Sequence, residues 1–214
     1  MRFLCLALIF MFVISGYSQS KKYSFVFLHK KSSAEQLPKE QLEKIMEGHL
    51  ANIERLAKEG KLIVAGPFEG GGGIFILNTT SPDEASQWLS TDPGIQANCW
   101  DIEILPYTPR VGSVCVAKEP YEMVTYLFIR LKEIKNSTAQ NAEEMLKQHQ
   151  EKVTSLIEKG NVITEGIFDP QRKILILKEN TAMDIFETDP AVQHGLISVD
   201  SKKLWIAKGS FCEQ

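Results

Sequence analysis

The sequence predicts an α+β protein made of two β-α-β-β-α-β repeats, packed sheet to sheet as a pseudo-dimer within one chain. Three observations predict it. The 214 residues are 43% hydrophobic and 24% charged, a globular balance that fits one large domain or two small ones. The chain also repeats itself: His49, Gly60, Gly66 and Phe68 return as His149, Gly160, Gly166 and Phe168, an offset of 100, and Thr91-Asp92-Pro93 returns as Thr188-Asp189-Pro190, an offset of 97. Within each copy, strand-type and helix-type segments follow in one order. The copies occupy about 21–108 and 119–208, with 109–118 as a linker.

The first copy opens with Tyr23 to Leu28, an aromatic and β-branched run of strand length. From Glu40 to Glu59, Leu42, Ile45, Met46, Ile53 and Leu56 recur at three- and four-residue steps and predict a helix with one apolar stripe. Gly60 ends it, because glycine takes the left-handed cap without steric cost. Leu62 to Ala65 and Gly73 to Leu77 are the second and third strands, and Gly70 to Gly73 lies in their hairpin connection. That glycine run has no following Lys-Ser pair and opens no helix, so it does not read as a phosphate loop.

Ser81-Pro82-Asp83-Glu84 is a helix start, with a serine cap, a proline where no N–H is needed and acids at the positive end of the dipole. The helix should run to about Ser90 and be broken at Asp92-Pro93, and Trp100 to Leu105 is the fourth strand. The second copy repeats the order with Val124 to Arg130, Ala142 to Lys159, Val162 to Glu165, Lys173 to Leu177, a second helix over Thr181 to Glu187, and Ile197 to Ile206. The three-residue shortfall falls in the connection before that second helix. Phe25, Phe27, Ile74 and Ile76 give the first sheet an apolar second face, which the other copy's sheet would cover. Pro106, Pro109 and Pro120 mark the connection as extended chain.

Residues 1–18 read as a secretory signal, with Arg2 before an apolar run from Phe3 to Ile14 and small residues at Gly16 and Ser18. Such a run is too short to span a bilayer, so after cleavage no membrane association is expected and the protein should be secreted or periplasmic. Export would allow disulfides among Cys99, Cys115 and Cys212, whose spacing holds no CxxC motif and admits at most one internal bridge. The net charge of −3 gives no basic surface for nucleic acid. No metal-ligand spacing joins His29, His49, His149 and His194, and neither a metal nor a cofactor is nominated. Trp88, Trp100 and Trp205 read as core residues.

His49 and His149 lie on the apolar stripes of their helices, so their rings should face the sheet. One reading is a core histidine satisfied by the backbone; the other is a general base. Asp92 and Asp189 have the same two readings, as helix stops that bond nearby backbone N–H groups, or as carboxylates that orient the imidazoles. Such a pair could abstract a proton or activate water.

The segments YSFVFL, HLANIERLAKEGKLIVAGPF, SPDEA and TDPGIQANCWDIEILPY resemble a YCII-related domain, and HQEKVTSLIEKGNVITEGIF with TDPAVQHGLISVDSKKLW matches more loosely. The resemblance implies a ferredoxin-like fold paired as in dimeric α/β barrels, with sites at His49 and Asp92 and at His149 and Asp189. It also implies chemistry like that of lyases and isomerases acting on small cyclic acids. The second copy departs from the first: Glu165-Gly166-Ile167 replaces Ala65-Gly66-Pro67, and the glycine run is absent. The expectation is an exported lyase, isomerase or hydrolase acting on a small molecule held in a cavity between sheet and helices or between the two sheets. The alternative is a non-catalytic ligand-binding or structural module. Further homo-oligomerisation stays open.

Overall fold

The computed structural model describes residues 21–32, 37–134 and 141–212. The expected signal segment, 1–18, lies outside the described residues, and among those described no helix is long and apolar enough to cross a membrane. The first half contains β1 (Tyr23–Lys30), α1 (Lys39–Lys58), β2 (Leu62–Pro67), β3 (Gly73–Leu77), α2 (Pro82–Leu89), α3 (Pro93–Gln96) and β4 (Trp100–Val111). After the short β5 (Ser113–Val114) come β6 (Met123–Glu133), α4 (Ala142–Glu158), β7 (Val162–Asp169), β8 (Arg172–Lys178), α5 (Pro190–Gln193), β9 (Ile197–Ala207) and β10 (Phe211–Cys212).

Eight strands form one antiparallel sheet in the order β2-β3-β1-β4-β7-β8-β6-β9. This is a mixed α+β fold dominated by a large antiparallel sheet. Register repeats at the offset read from sequence: Ala65 pairs with Phe75 and Gly66 with Ile74, just as Glu165 pairs with Leu175 and Gly166 with Ile174. The two edges also meet, since Phe68 bridges Leu204 and the Glu69 N–H donates to the Lys203 carbonyl at 2.9 Å.

Period-two alternation sorts the side chains. Phe25, Phe27, Ile74 and Ile76 turn inward and meet Phe128, Phe168, Ile174 and Ile176 in one buried cluster. The Phe25 ring lies 5.2 Å from that of Phe168, and Phe68 lies 5.0 Å from Phe128. Val26, Leu28, Phe75 and Leu77 turn outward under α1 and α2, while Leu127, Ile129, Leu175 and Leu177 turn outward against the second half's helical segment. Each such side chain contributes roughly 1.5–3 kcal/mol by leaving water. Phe25→Ala, at the interior, would cost ~3–5 kcal/mol.

Two expectations need correction. The linker expected at 109–118 begins as strand: β4 pairs with β1 as far as Tyr107, then Thr108, Pro109 and Val111 pair with β7. An extended, proline-marked segment is also what a strand needs where no ladder N–H is demanded, and one long strand therefore serves both halves of the sheet. The second helix expected over Thr181 to Glu187 is absent; turns span that stretch, with Ile185 N–H bonded to the Ala182 carbonyl and Glu187 N–H to that of Asp184. The segment lacks the Ser-Pro start that opens α2, where Ser81 accepts from the Glu84 N–H. Phe186 fills the space with 2% exposure.

Gly60 and Gly160 end α1 and α4 at φ of 69° and 67°. Cys115 and Cys212 form a disulfide that ties β5 to β10, and Cys99 is a buried free thiol.

Candidate functional site

In the first half, helix periodicity places His49 and Asn52 three residues apart, on the face of α1 that meets the start of α3. Gly48 permits the close approach, since a Cβ there would stand 2.8 Å from Pro93 Cγ. Asp92 caps α3, with Oδ1 accepting the N–H groups of Gly94 at 2.9 Å and Ile95 at 3.3 Å. Its other oxygen, Oδ2, accepts from His49 Nδ1 at 2.8 Å and from Asn52 Nδ2 at 3.1 Å. One oxygen of Asp92 thus caps the helix and the other meets the imidazole.

Asp92 is fully buried and the His49 side chain is 13% exposed. The His49 ring packs 4.6 Å from Trp100 and 5.9 Å from Phe75. Trp100 is held by Gly94, where an added Cβ would fall 2.0 Å from its ring. Behind the pair, Arg55 Nη2 donates to Asn52 Oδ1 and to Thr91 Oγ1, each at 2.8 Å. Sequence reading missed Asn52 and Arg55. Their signal is a difference between copies, since the offset positions hold Lys152 and Ser155.

His49 borders a cavity of about 660 Å³ between α1 and the sheet, with Met46, Phe75 and Trp100 in its wall. The second half contributes Tyr121, Met123 and Trp205 to the same cavity. The expectation of Trp205 in the core is corrected: Leu204 and Ile206 face the interior, so alternation turns Trp205 outward, where it is 52% exposed. Trp100 likewise lines the cavity, and Trp88 packs against the first half's outer cluster. Cys99 also borders the cavity, and burial, then the charge of Asp92, pushes its thiol up, so it is a neutral thiol.

The second half places His149 and Asp189 in the same relation. His149 Nδ1 lies 2.8 Å from Asp189 Oδ2, while Asp189 Oδ1 accepts the Ala191 N–H at 3.0 Å. The His149 side chain is only 3% exposed, and its Nε2 is buried without a hydrogen-bond partner. Burial holds this imidazole below the ordinary histidine value, against the opposing pull of Asp189. His149 also borders a cavity, a smaller one of about 360 Å³, which Arg110, Gln150 and Lys173 line with it. Glu165, at the position of cavity-lining Ala65, is buried, with Arg110 Nε 3.6 Å and Lys173 Nζ 3.8 Å from its oxygens.

The remaining histidines stand apart from both pairs. His29 Nε2 lies 3.3 Å from Glu103 Oε2, and His194 Nδ1 lies 2.9 Å from the Pro190 carbonyl. Among the described residues no three His, Cys, Asp or Glu side chains gather as metal ligands.

Solved structures resemble this one. A chlorite dismutase variant from Candidatus Nitrospira defluvii superposes with a TM-score of 0.52 at 12% identity, covering 88% of this chain and 92% of that one. Another variant of that enzyme, in complex with cyanide, gives 0.50 at 13% identity over 90% and 93%. A heme-binding protein from Thermus thermophilus gives 0.44 at 11% identity over 89% and 92%. At such identities the likeness is one of fold. Residues 23–108 match the family model of the YCII-related domain. No curated protein matches the chain.

Proposed function

We propose that the protein is an exported small-molecule enzyme of the lyase, isomerase or hydrolase kind, in which His49 is the general base and Asp92 orients it. One observation carries the reading: an imidazole held at Nδ1 by a buried carboxylate at 2.8 Å borders a cavity large enough for a small molecule. His49 Nε2 takes the proton from a substrate carbon or from a water. Asp92 holds the ring in the required tautomer and offsets the positive charge that then forms on it. Asn52 donates to the same carboxylate oxygen and fixes its position. Lys30, the cation in the described cavity lining, stabilises the negative charge that develops on the substrate.

The two halves are read as tandem repeats, 21–108 and 119–208, forming a pseudo-dimer within one chain. The common register and the meeting of edge strands support this. The Cys115–Cys212 bond supports export, because such bonds persist in oxidising compartments. For the second half the non-catalytic reading is favoured by a specific observation, the burial of His149 Nε2. There the His149–Asp189 pair acts as a structural contact.

The test is to profile the protein against small carboxylic acids and lactones, then assay His49→Ala on whatever is turned over. Turnover should vanish while the thermal transition stays within a few degrees. A variant that turns over normally ends the general-base reading, and one that unfolds assigns His49 to packing.

A further inference from the structure

The wall of the first cavity joins rings and thioethers to aliphatic side chains, Leu28, Leu42 and Ile53 among them. Phe75, Trp100, Tyr121 and Trp205 face it together with the imidazole of His49, and Met46 and Met123 add two polarisable sulfurs. Aromatic faces bind other rings by offset or edge contacts, and methionine sulfur adds to them, whereas an alkyl chain gains area alone. No carboxylate belongs to the described lining, and its cation is Lys30. A neutral or singly anionic guest suits it.

The lip repeats this character in water. Leu50, Tyr121, Met123 and Trp205 are among the large apolar side chains that stand exposed, at 60%, 55%, 37% and 52%, and all four border the cavity. An exposed apolar rim around a concavity marks a binding mouth. Three of the four come from the second half's segments, so the site is completed across the two halves. At the second pair, Ala65 gives way to Glu165, Gly73 to Lys173 and Leu50 to Gln150 at the offset of 100, which removes the apolar floor there.

We infer that the first cavity takes a flat aromatic molecule of two or three fused rings, neutral or singly anionic, with Trp205 and Tyr121 as its specificity-determining residues. This rests on the reading of His49 as the base, since it names the substrate class for that base. The volume of about 660 Å³ suits a guest of this size, and rings held against Trp100 would present an acidic proton to His49 Nε2.

The test is calorimetric titration of the full chain with 2-naphthol, 1-octanol and cyclohexanol. 2-Naphthol should bind at least tenfold more tightly than either aliphatic alcohol. Trp205→Ala should weaken it at least tenfold with the melting temperature unchanged, because Trp205 is half exposed. Equal binding of octanol, or unchanged affinity in Trp205→Ala, would overturn the inference. So would a concentration-dependent dimer that Trp205→Asp dissolves, with no naphthol bound, since a second copy would then be what covers the lip. His49→Ala separates this from the parent reading. Naphthol bound within threefold of wild type but turnover lost supports both. Naphthol bound and turnover retained removes only the base, and no naphthol bound while turnover of a non-aromatic substrate is lost removes only the aromatic guest.

Discussion

The two halves hold a histidine and an aspartate at the same 2.8 Å and surround them with opposite materials. In the first, the imidazole borders a large, mostly apolar cavity, and the carboxylate is bonded by Asn52, itself held by Arg55 and Thr91. In the second, the remaining ring nitrogen is buried at the wall of a smaller cavity, and the equivalent floor carries Glu165 between Arg110 and Lys173. The lesson is that the pair alone does not make a site. The Asp-Pro turn reproduces the pair wherever it starts a short helix against a histidine-bearing one, and what the neighbouring strands place beyond Nε2 decides whether a ligand can reach it.

The sharpest way to break the comparison is to remove each histidine. On a substrate found by profiling, His49→Ala should lower kcat by ~10²–10⁴, the range of a lost general base, while His149→Ala leaves kcat within about twofold. Steady-state kinetics decides this, and equal losses would restore a working second site. Next in size is a transplant of the second floor into the first. Ala65→Glu puts a carboxylate beside an apolar wall with no Arg110 counterpart, and should cost ~2 kcal/mol or more in urea unfolding and abolish 2-naphthol binding. Retained binding would show that the floor does not set ligand class.

A third measurement uses pH. The His149 imidazole is held below its ordinary value of 6.5 by burial, with Lys173 and Lys152 adding to that effect and Asp189 opposing it. The folded state therefore takes up this proton less readily than the unfolded chain. The stabilisation is complete above about pH 6.5 and is lost as pH falls through the lower, folded-state value. Melting temperature should decline on acidification more steeply in wild type than in His149→Leu, whatever their offset at pH 8; parallel curves would contradict it. The smallest effect compares Asn52 with its counterpart. Asn52→Leu removes a donor from the buried carboxylate and should cost about 1 kcal/mol, whereas Lys152→Leu should stay within ~0.5 kcal/mol, both read by urea unfolding.

Much of this was legible from residues alone. The run Tyr23 to Leu28, the stripes of α1 and α4, the Ser81 cap and the glycine ends all appear where pattern places them, because each depends on neighbours within a few residues. The pairing of His49 with Asp92 was legible as one of two readings. Deciding it needed the fold, since it turns on whether Gly48 lets α1 close on Pro93. The expected helix over Thr181 to Glu187 failed because that stretch lacks the Ser-Pro start that opens α2, and turns stand there instead. Trp205 was misplaced because hydrophobicity says core, while strand parity between Leu204 and Ile206 says outward, and parity won.

By itself, then, the order of residues determined the period of each element, the doubling of the pattern and the candidate histidines and aspartates, all of which follow from local sterics and side-chain spacing. Tertiary structure decided what no local rule reaches: that β4 runs on to join both halves of the sheet, that Tyr121, Met123 and Trp205 cross over to wall the other half's cavity, and that one imidazole borders a large cavity while its twin is more deeply buried beside a smaller one. Those outcomes depend on contacts between residues far apart in the chain, where the packing of a closed sheet, and not the preference of any segment, sets which faces meet.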